Sequence, residues 1–145
     1  MGSTPGEGRE HHDVTILLSW PGVGVRVAAT MLAEAHDALG RRDYHAMRTL
    51  CGLAPVTAAS GKWRVVKMRY ACSPRLRTAC YHWARTAIQG DTHARGHYDA
   101  MRGRGHTHPR ALRGLADRQL HVLMRMLTSN TRYDATKRKQ PHIAA

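Results

Sequence analysis

The sequence predicts a mainly α-helical domain that contains a helix-hairpin-helix-like element and one short extended basic segment. Three observations lead to this class. Apolar residues recur at helical spacing through two long stretches, 73–89 and 109–127. A Pro-Gly-Val-Gly corner at 21–24 separates two helical runs. Partial alternation of charge and apolar character is confined to Lys62–Tyr70.

The elements follow in order. The first residues, MGSTPGEGREHHD, are polar and Gly-rich, and 1–14 reads as a disordered leader or a truncation scar. The run 15–20, TILLSW, is short enough for a strand but reads as the end of a helix, because Pro21 stops it. After PGVG, the stretch 25–36 has helical spacing, with Val25, Ala28, Ala29, Leu32 and Ala33 on one side. Asp43 is placed to cap a helix from Tyr44 to Cys51, and Gly52 to end it. Ser73–Pro74 opens the next helix, which carries Leu76, Cys80, Trp83 and Ala87 on one stripe. Asp91 caps a further helix to about Arg102. Beyond GRGHTHP, Pro109 restarts a long helix whose Leu112, Leu115, Leu120, Leu123 and Leu127 supply core. The tail, 135–145, is basic and reads as loose. The predicted domain therefore covers 15–134, with the helix-hairpin-helix-like element at 15–36.

Charge defines the partner. Lys and Arg number 23 against 10 Asp and Glu, a net +13 over 145 residues. Such an excess points to a polyanion, and the preference for Arg suits bidentate phosphate contacts. No run is long enough to span a bilayer, so no membrane role is expected. Three cysteines, Cys51, Cys72 and Cys80, show no C-x-x-C spacing, which argues for a reducing, cytoplasmic setting without a disulfide framework or zinc ribbon.

Four constellations carry the chemistry. Gly22 and Gly24 free the backbone to bring N–H groups to a phosphate at a helix N-terminus, although an ordinary helix–helix turn reads the same way. Ser60–Gly61 precedes Lys62, Trp63, Arg64, Lys67 and Arg69. A serine hydroxyl needs its proton removed and its target's charge neutralised before it attacks a phosphate. The cations could neutralise it and Trp63 could stack on a base. Residue chemistry alone nevertheless favours an ordinary turn serine. Arg75 and Arg77, at the start of the next helix, are placed to hold flanking backbone. His93 and His97 have zinc-compatible i, i+4 spacing, with His106 and His108 close behind, but no HExxH accompanies them and no metal is expected. The ten acids form no dense site of the two-metal nuclease kind.

The stretches PGVGVRVAATMLAE, CGLAPVTAASGK, RYACSPRLRTACYHWAR and YDAMRGRGHTHPRALRGLADRQLHVLMRML, in that order, resemble the C-terminal transposase domain of the "IS one-ten" insertion-sequence family. These are DEDD-type, bridge-RNA-guided recombinases related to the pilin-gene invertase, and the resemblance spans about residues 15–134. It implies DNA transposition and recombination in which a serine becomes covalently linked to DNA. The Ser-Gly after GLAP is the matching position, which makes Ser60 the candidate nucleophile and overturns the turn-serine reading. The resemblance further implies that complete members carry a RuvC-like domain binding magnesium through a DEDD set, assemble as homo-oligomers and use a guide RNA. No acids here match that set, so no cofactor is expected in this chain, which reads as a truncated piece inactive by itself. Two rivals stand beside this reading: a non-catalytic DNA-binding remnant, and an RNA-binding protein.

Overall fold

A computed structural model describes residues 5–54, 72–134 and 136, with side chains from His12 onward. Seven helices and no strand occur among them: α1 (Pro5–Ser19), α2 (Val25–Glu34), α3 (His36–Gly40), α4 (Tyr44–Leu50), α5 (Pro74–Gly90), α6 (Thr92–Gly103) and α7 (His108–Ser129). The mainly α expectation holds. The extended basic segment 62–70 and the tail 137–145 lie outside the described residues.

The starts of the later helices follow from local chemistry. Ser73 accepts a hydrogen bond from the Leu76 amide, with proline behind it in the first turn of α5. Asp91 accepts from the His93 amide and links α5 to α6 as a single residue. Thr107 accepts from the Arg110 amide at the head of α7, again with proline in the first turn. Asp43 caps α4 through the Ala46 amide. At the other end of α7, Asn130 adopts the left-handed conformation, with φ 57°, that closes a helix.

The core is one cluster into which α2, α5 and α7 press their apolar faces. Leu76, Cys80, Trp83 and Ala87 of α5 are buried, as are Leu112, Leu115, Leu120, Leu123 and Leu127 of α7. Both stripes match the sequence pattern. In α2 the buried face is Val27, Ala28 and Met31, whereas Val25 is 75% exposed and Ala29 and Ala33 face solvent. Periodicity orients a helix poorly when its apolar residues ring the axis. Pro21 ends α1 by withholding an N–H and disfavouring helix in the residue before it. Trp20, left at that end, is buried edge-on to Trp83 at 5.1 Å and lies 4.8 Å from the Tyr133 ring. Aromatic pairs of this kind contribute about 0.5–1.5 kcal/mol beyond their buried area.

Helix α1 begins within the stretch read as a leader, and its Asp13 is buried. The Arg42 guanidinium grips that carboxylate with both forks, at 2.7 and 2.8 Å, and also donates to the Leu39 carbonyl. The two side chains are only 14% and 7% exposed, so removing either partner leaves a charge in a dry place.

Two contacts hold the end of α4 to α5 and α7. Cys51, just after α4, hydrogen-bonds the Cys80 thiol of α5 and feels Asp117 of α7. Arg48 of α4 grips Asp117 at 3.0 and 2.8 Å. Cys80 lies six residues into α5 and Asp117 nine into α7, about 9 and 14 Å along them at 1.5 Å per residue. The end of α4 is thus held against α5 near its start and against α7 near its middle.

Candidate nucleic-acid interface

Ser60 lies outside the described residues, as do Lys62, Trp63, Arg64, Lys67 and Arg69, but the base of their segment is well defined. The Ser73 amide donates to the Leu50 carbonyl at 2.8 Å, so the chain entering at Leu53–Ala54 and returning at Cys72 is tied at one point. Gly52 makes that tie possible. Its φ is +67°, and a Cβ there would sit 2.7 Å from Cys72 Sγ and 3.3 Å from Arg77 Cδ. Glycine alone satisfies both demands.

From this tie a shallow groove of about 440 Å³ runs along α5, lined by Cys72, Pro74, Arg77, Thr78, Tyr81 and Arg85. No carboxylate lines it among the described residues. The Arg77 guanidinium lies 5.6 Å from the Tyr81 ring centroid, held as a planar donor by cation–π contact. Burial raises the Cys72 thiol pKa, and the positive charge of Arg77 opposes the shift. Cys51 is raised further, by its hydrogen bond to Cys80 and by burial. None of these causes makes a reactive thiolate.

The glycine corner stands beside the same helix. Gly22 has φ +93° and packs against α5, where a Cβ would lie 3.5 Å from Thr86 Cγ2 and 3.9 Å from Trp83. Gly24 is the N-cap of α2 with no side-chain hydrogen bond, and Val25 and Arg26 behind it are exposed. The first-turn amides of α2 thus lack an intrahelical acceptor, the arrangement that favours anions. Arg85 on the groove is one residue from Thr86 under Gly22. The distance from Pro74 to Thr86 is about 18 Å at helical rise, roughly half a turn of B-form DNA.

Gly22, Gly24 and Arg77 are thereby brought to one helix. Arg75 differs from its neighbour: its guanidinium leans 3.8 Å from Glu34 Oε1 at the end of α2, while Arg77 faces the groove. Sequence reasoning missed Tyr81 and Arg85, although their i+4 and i+8 spacing from Arg77 was a usable signal. A second hollow, about 520 Å³, is lined by Glu34, Asp37 and Asp43 as well as Arg41, which makes it a poor phosphate site.

No group of three His, Cys, Asp or Glu side chains suited to a metal occurs among the described residues. His93, His97, His106 and His108 form no such group. Nor is any described helix long and apolar enough to cross a membrane.

The described residues thus form a helical domain whose α5 groove carries two arginines and lies beside the exposed N-terminus of α2. Comparison with known proteins gives the family. The family model described as "Transposase IS116/IS110/IS902 family" matches residues 14–99. The candidate transposase of the mini-circle element IS117 in Streptomyces coelicolor is 37% identical over 138 residues, covering 94% of this chain and 33% of that protein. An uncharacterized 43.6 kDa protein of insertion element IS110, from the same organism, is 34% identical across 83% of this chain and 30% of its own length. A 42 kDa protein of IS900 from Mycobacterium paratuberculosis is 35% identical across 86% and 32%. The chain belongs to the IS116/IS110/IS902 transposase family of insertion elements, and it spans about a third of the length of these relatives. No solved structure matches it.

Proposed function

We propose that this chain is the DNA-binding part of an insertion-element transposase and that Ser60 is its nucleophile toward DNA. The observation that supports the reading best is the basic groove of α5, which opens where the Ser60 segment is tied down. In the proposed step, Ser60 Oγ loses its proton and attacks a backbone phosphorus. The Oγ–P bond forms as the P–O3′ bond breaks, and the departing 3′ oxygen takes a proton. The resulting phosphoserine link keeps the bond energy until a DNA 3′-hydroxyl displaces the serine. Lys62, Arg64, Lys67 and Arg69 would neutralise the phosphate, Trp63 would stack on a base, and Arg77 and Arg85 would hold the flanking backbone. Arg75, loosely paired with Glu34, is assigned a lesser part.

We extend the proposal to the complete protein as a homo-oligomer acting with a guide RNA, its magnesium-binding acids lying in the part of the relatives that this chain does not span. The test supplies this chain in trans with the remaining region of a full-length relative and a DNA substrate. The native chain should yield a denaturation-resistant protein–DNA adduct, and Ser60→Ala should yield none. An adduct at native level with Ser60→Ala removes Ser60 from the mechanism. Salt-sensitive binding without any adduct from the native chain would favour the non-catalytic module. Competition between duplex DNA and structured RNA addresses the RNA-binding rival.

A further inference from the structure

We propose that the corner between α6 and α7 is a second phosphodiester-backbone contact, separate from the α5 groove, with Arg104 and Arg110 as its charged anchors and His108 as an oriented donor. The inference rests on the nucleic-acid-binding reading above, and adds a site to it.

The corner is built stiff. The His106 amide donates to the Met101 carbonyl and the Gly105 amide to Arg102, while Arg102 Nη1 donates back to the His106 carbonyl at 2.9 Å. Thr107 caps α7, so the helix terminus already has a partner and is not what draws the ligand. Within this frame Arg104 and Arg110 are exposed and have no acidic partner among the described residues. No acid occurs between Asp99 and Asp117 in the sequence, and both of those are engaged elsewhere, Asp99 by Arg95 and Asp117 by Arg48. No described acid neutralises the arginines.

Tyr98 supplies the third feature. Its hydroxyl lies 2.6 Å from His108 Nδ1, with the rings 5.7 Å apart and nearly perpendicular. When the phenol donates to Nδ1, the ring proton resides on Nε2, and the exposed His108 offers an N–H donor in a fixed orientation. A stiff corner with two unpaired guanidinium groups and an oriented imidazole suits phosphate oxygens. It does not suit a membrane or a protein hot spot, because the exposed residues of 102–110 are Arg, Gly, Thr, His and Pro, with no large apolar anchor.

The test measures binding of the 145-residue chain to a labelled DNA duplex and, in a parallel arm, to an RNA hairpin, between 50 and 200 mM salt. Each lost phosphate contact should reduce the slope of log affinity against log salt by about 0.9 on duplex DNA. The double variant Arg104→Ala/Arg110→Ala should therefore lose about 1.8, so the native chain weakens about 12-fold more than the variant over that fourfold salt range. Arg77→Ala/Arg85→Ala should give a separate, additive loss. Arg41→Ala, paired with Asp37 beside the acidic hollow, should leave the slope unchanged. Tyr98→Phe should weaken binding by less than the arginine pair at unchanged melting temperature. A reduced slope on DNA, on RNA or on both supports the corner and names its nucleic acid. If the native chain and the α5 variant behave as expected but the corner variant matches native, the corner proposal fails alone. If the native chain binds neither nucleic acid, the corner proposal and the underlying reading fail together.

Discussion

Replacing Gly52 by alanine tests whether the tie beneath the Ser60 segment is a steric fit or an incidental turn. Two costs add. A residue bearing a Cβ at φ +67° pays about 1–2 kcal/mol for the left-handed conformation. The new methyl would also meet Cys72 Sγ at 2.7 Å, a separation that real Cβ atoms essentially never show, and overpacking of this kind costs about 1 kcal/mol or more. The sum is about 2–3 kcal/mol, equivalent to a fall in Tm of roughly 6–15 °C for a domain of this size. Urea unfolding followed by tryptophan fluorescence reads it directly, since Trp20 and Trp83 are both buried. A double-mutant cycle separates the two costs. Cys72→Ala removes the sulfur that the new methyl would strike, so the pair Gly52→Ala/Cys72→Ala should recover about 1 kcal/mol relative to the sum of the single changes. A neutral Gly52→Ala, or a cycle with no coupling, would refute the claim that Gly52 and Cys72 are pressed together.

Two further outcomes follow from polar groups in or against the core. Gln119 is fully buried on α7, and neither amide atom finds a partner among the described residues; Gln119→Leu should raise unfolding stability by about 1–2 kcal/mol in urea, and a loss of stability would show that the amide is satisfied. Tyr44 has its pKa pushed up to about 12 by burial and by its hydrogen bond to Asp117, with Arg48 opposing. Because the neutral phenol is favoured in the folded state, its stabilising contribution is complete below pH 10 and is lost as pH rises from 10 toward 12. Ultraviolet titration should find one tyrosine ionising late, and Asp117→Asn should bring it back toward 10.

What the sequence reveals here depends on how far each cause reaches along the chain. The stripes of α5 and α7 and their caps at Ser73 and Thr107 involve residues within a turn or two, and pattern reading finds the stripes and the helix starts. The Asp13–Arg42 pair joins residues 29 apart, so a polar, Gly-rich opening gives no local sign that its last acid is buried. Arg75 and Arg77 look alike in sequence, yet Glu34 stands beside the first, some forty residues upstream, and the second lies against Tyr81. The face that α2 buries is set by the Gly22 corner packing on Thr86, while Val25 and Ala29 are as apolar as the residues that do go inside. Arg104 and Arg110 are visible as charges from the start. That neither has an acidic partner among the described residues is visible only in the structure.

The tie at the start of α5 bears on the proposed role of Ser60. A side chain on an excursion from a stiff base inherits its position from the base, and the cost of closing the excursion grows only with the logarithm of its length. The base here is the Leu50–Ser73 hydrogen bond and the Gly52–Cys72 contact, with Arg77 packed against the same glycine. Attack on a phosphodiester adds negative charge around phosphorus. Under the proposed role of Ser60, cations fixed at the foot of its segment would stabilise that charge with little reorganisation as it develops. Stability and binding should separate accordingly: Gly52→Ala disturbs the base and lowers Tm, whereas Arg77→Ala leaves the fold intact and reduces the salt dependence of binding.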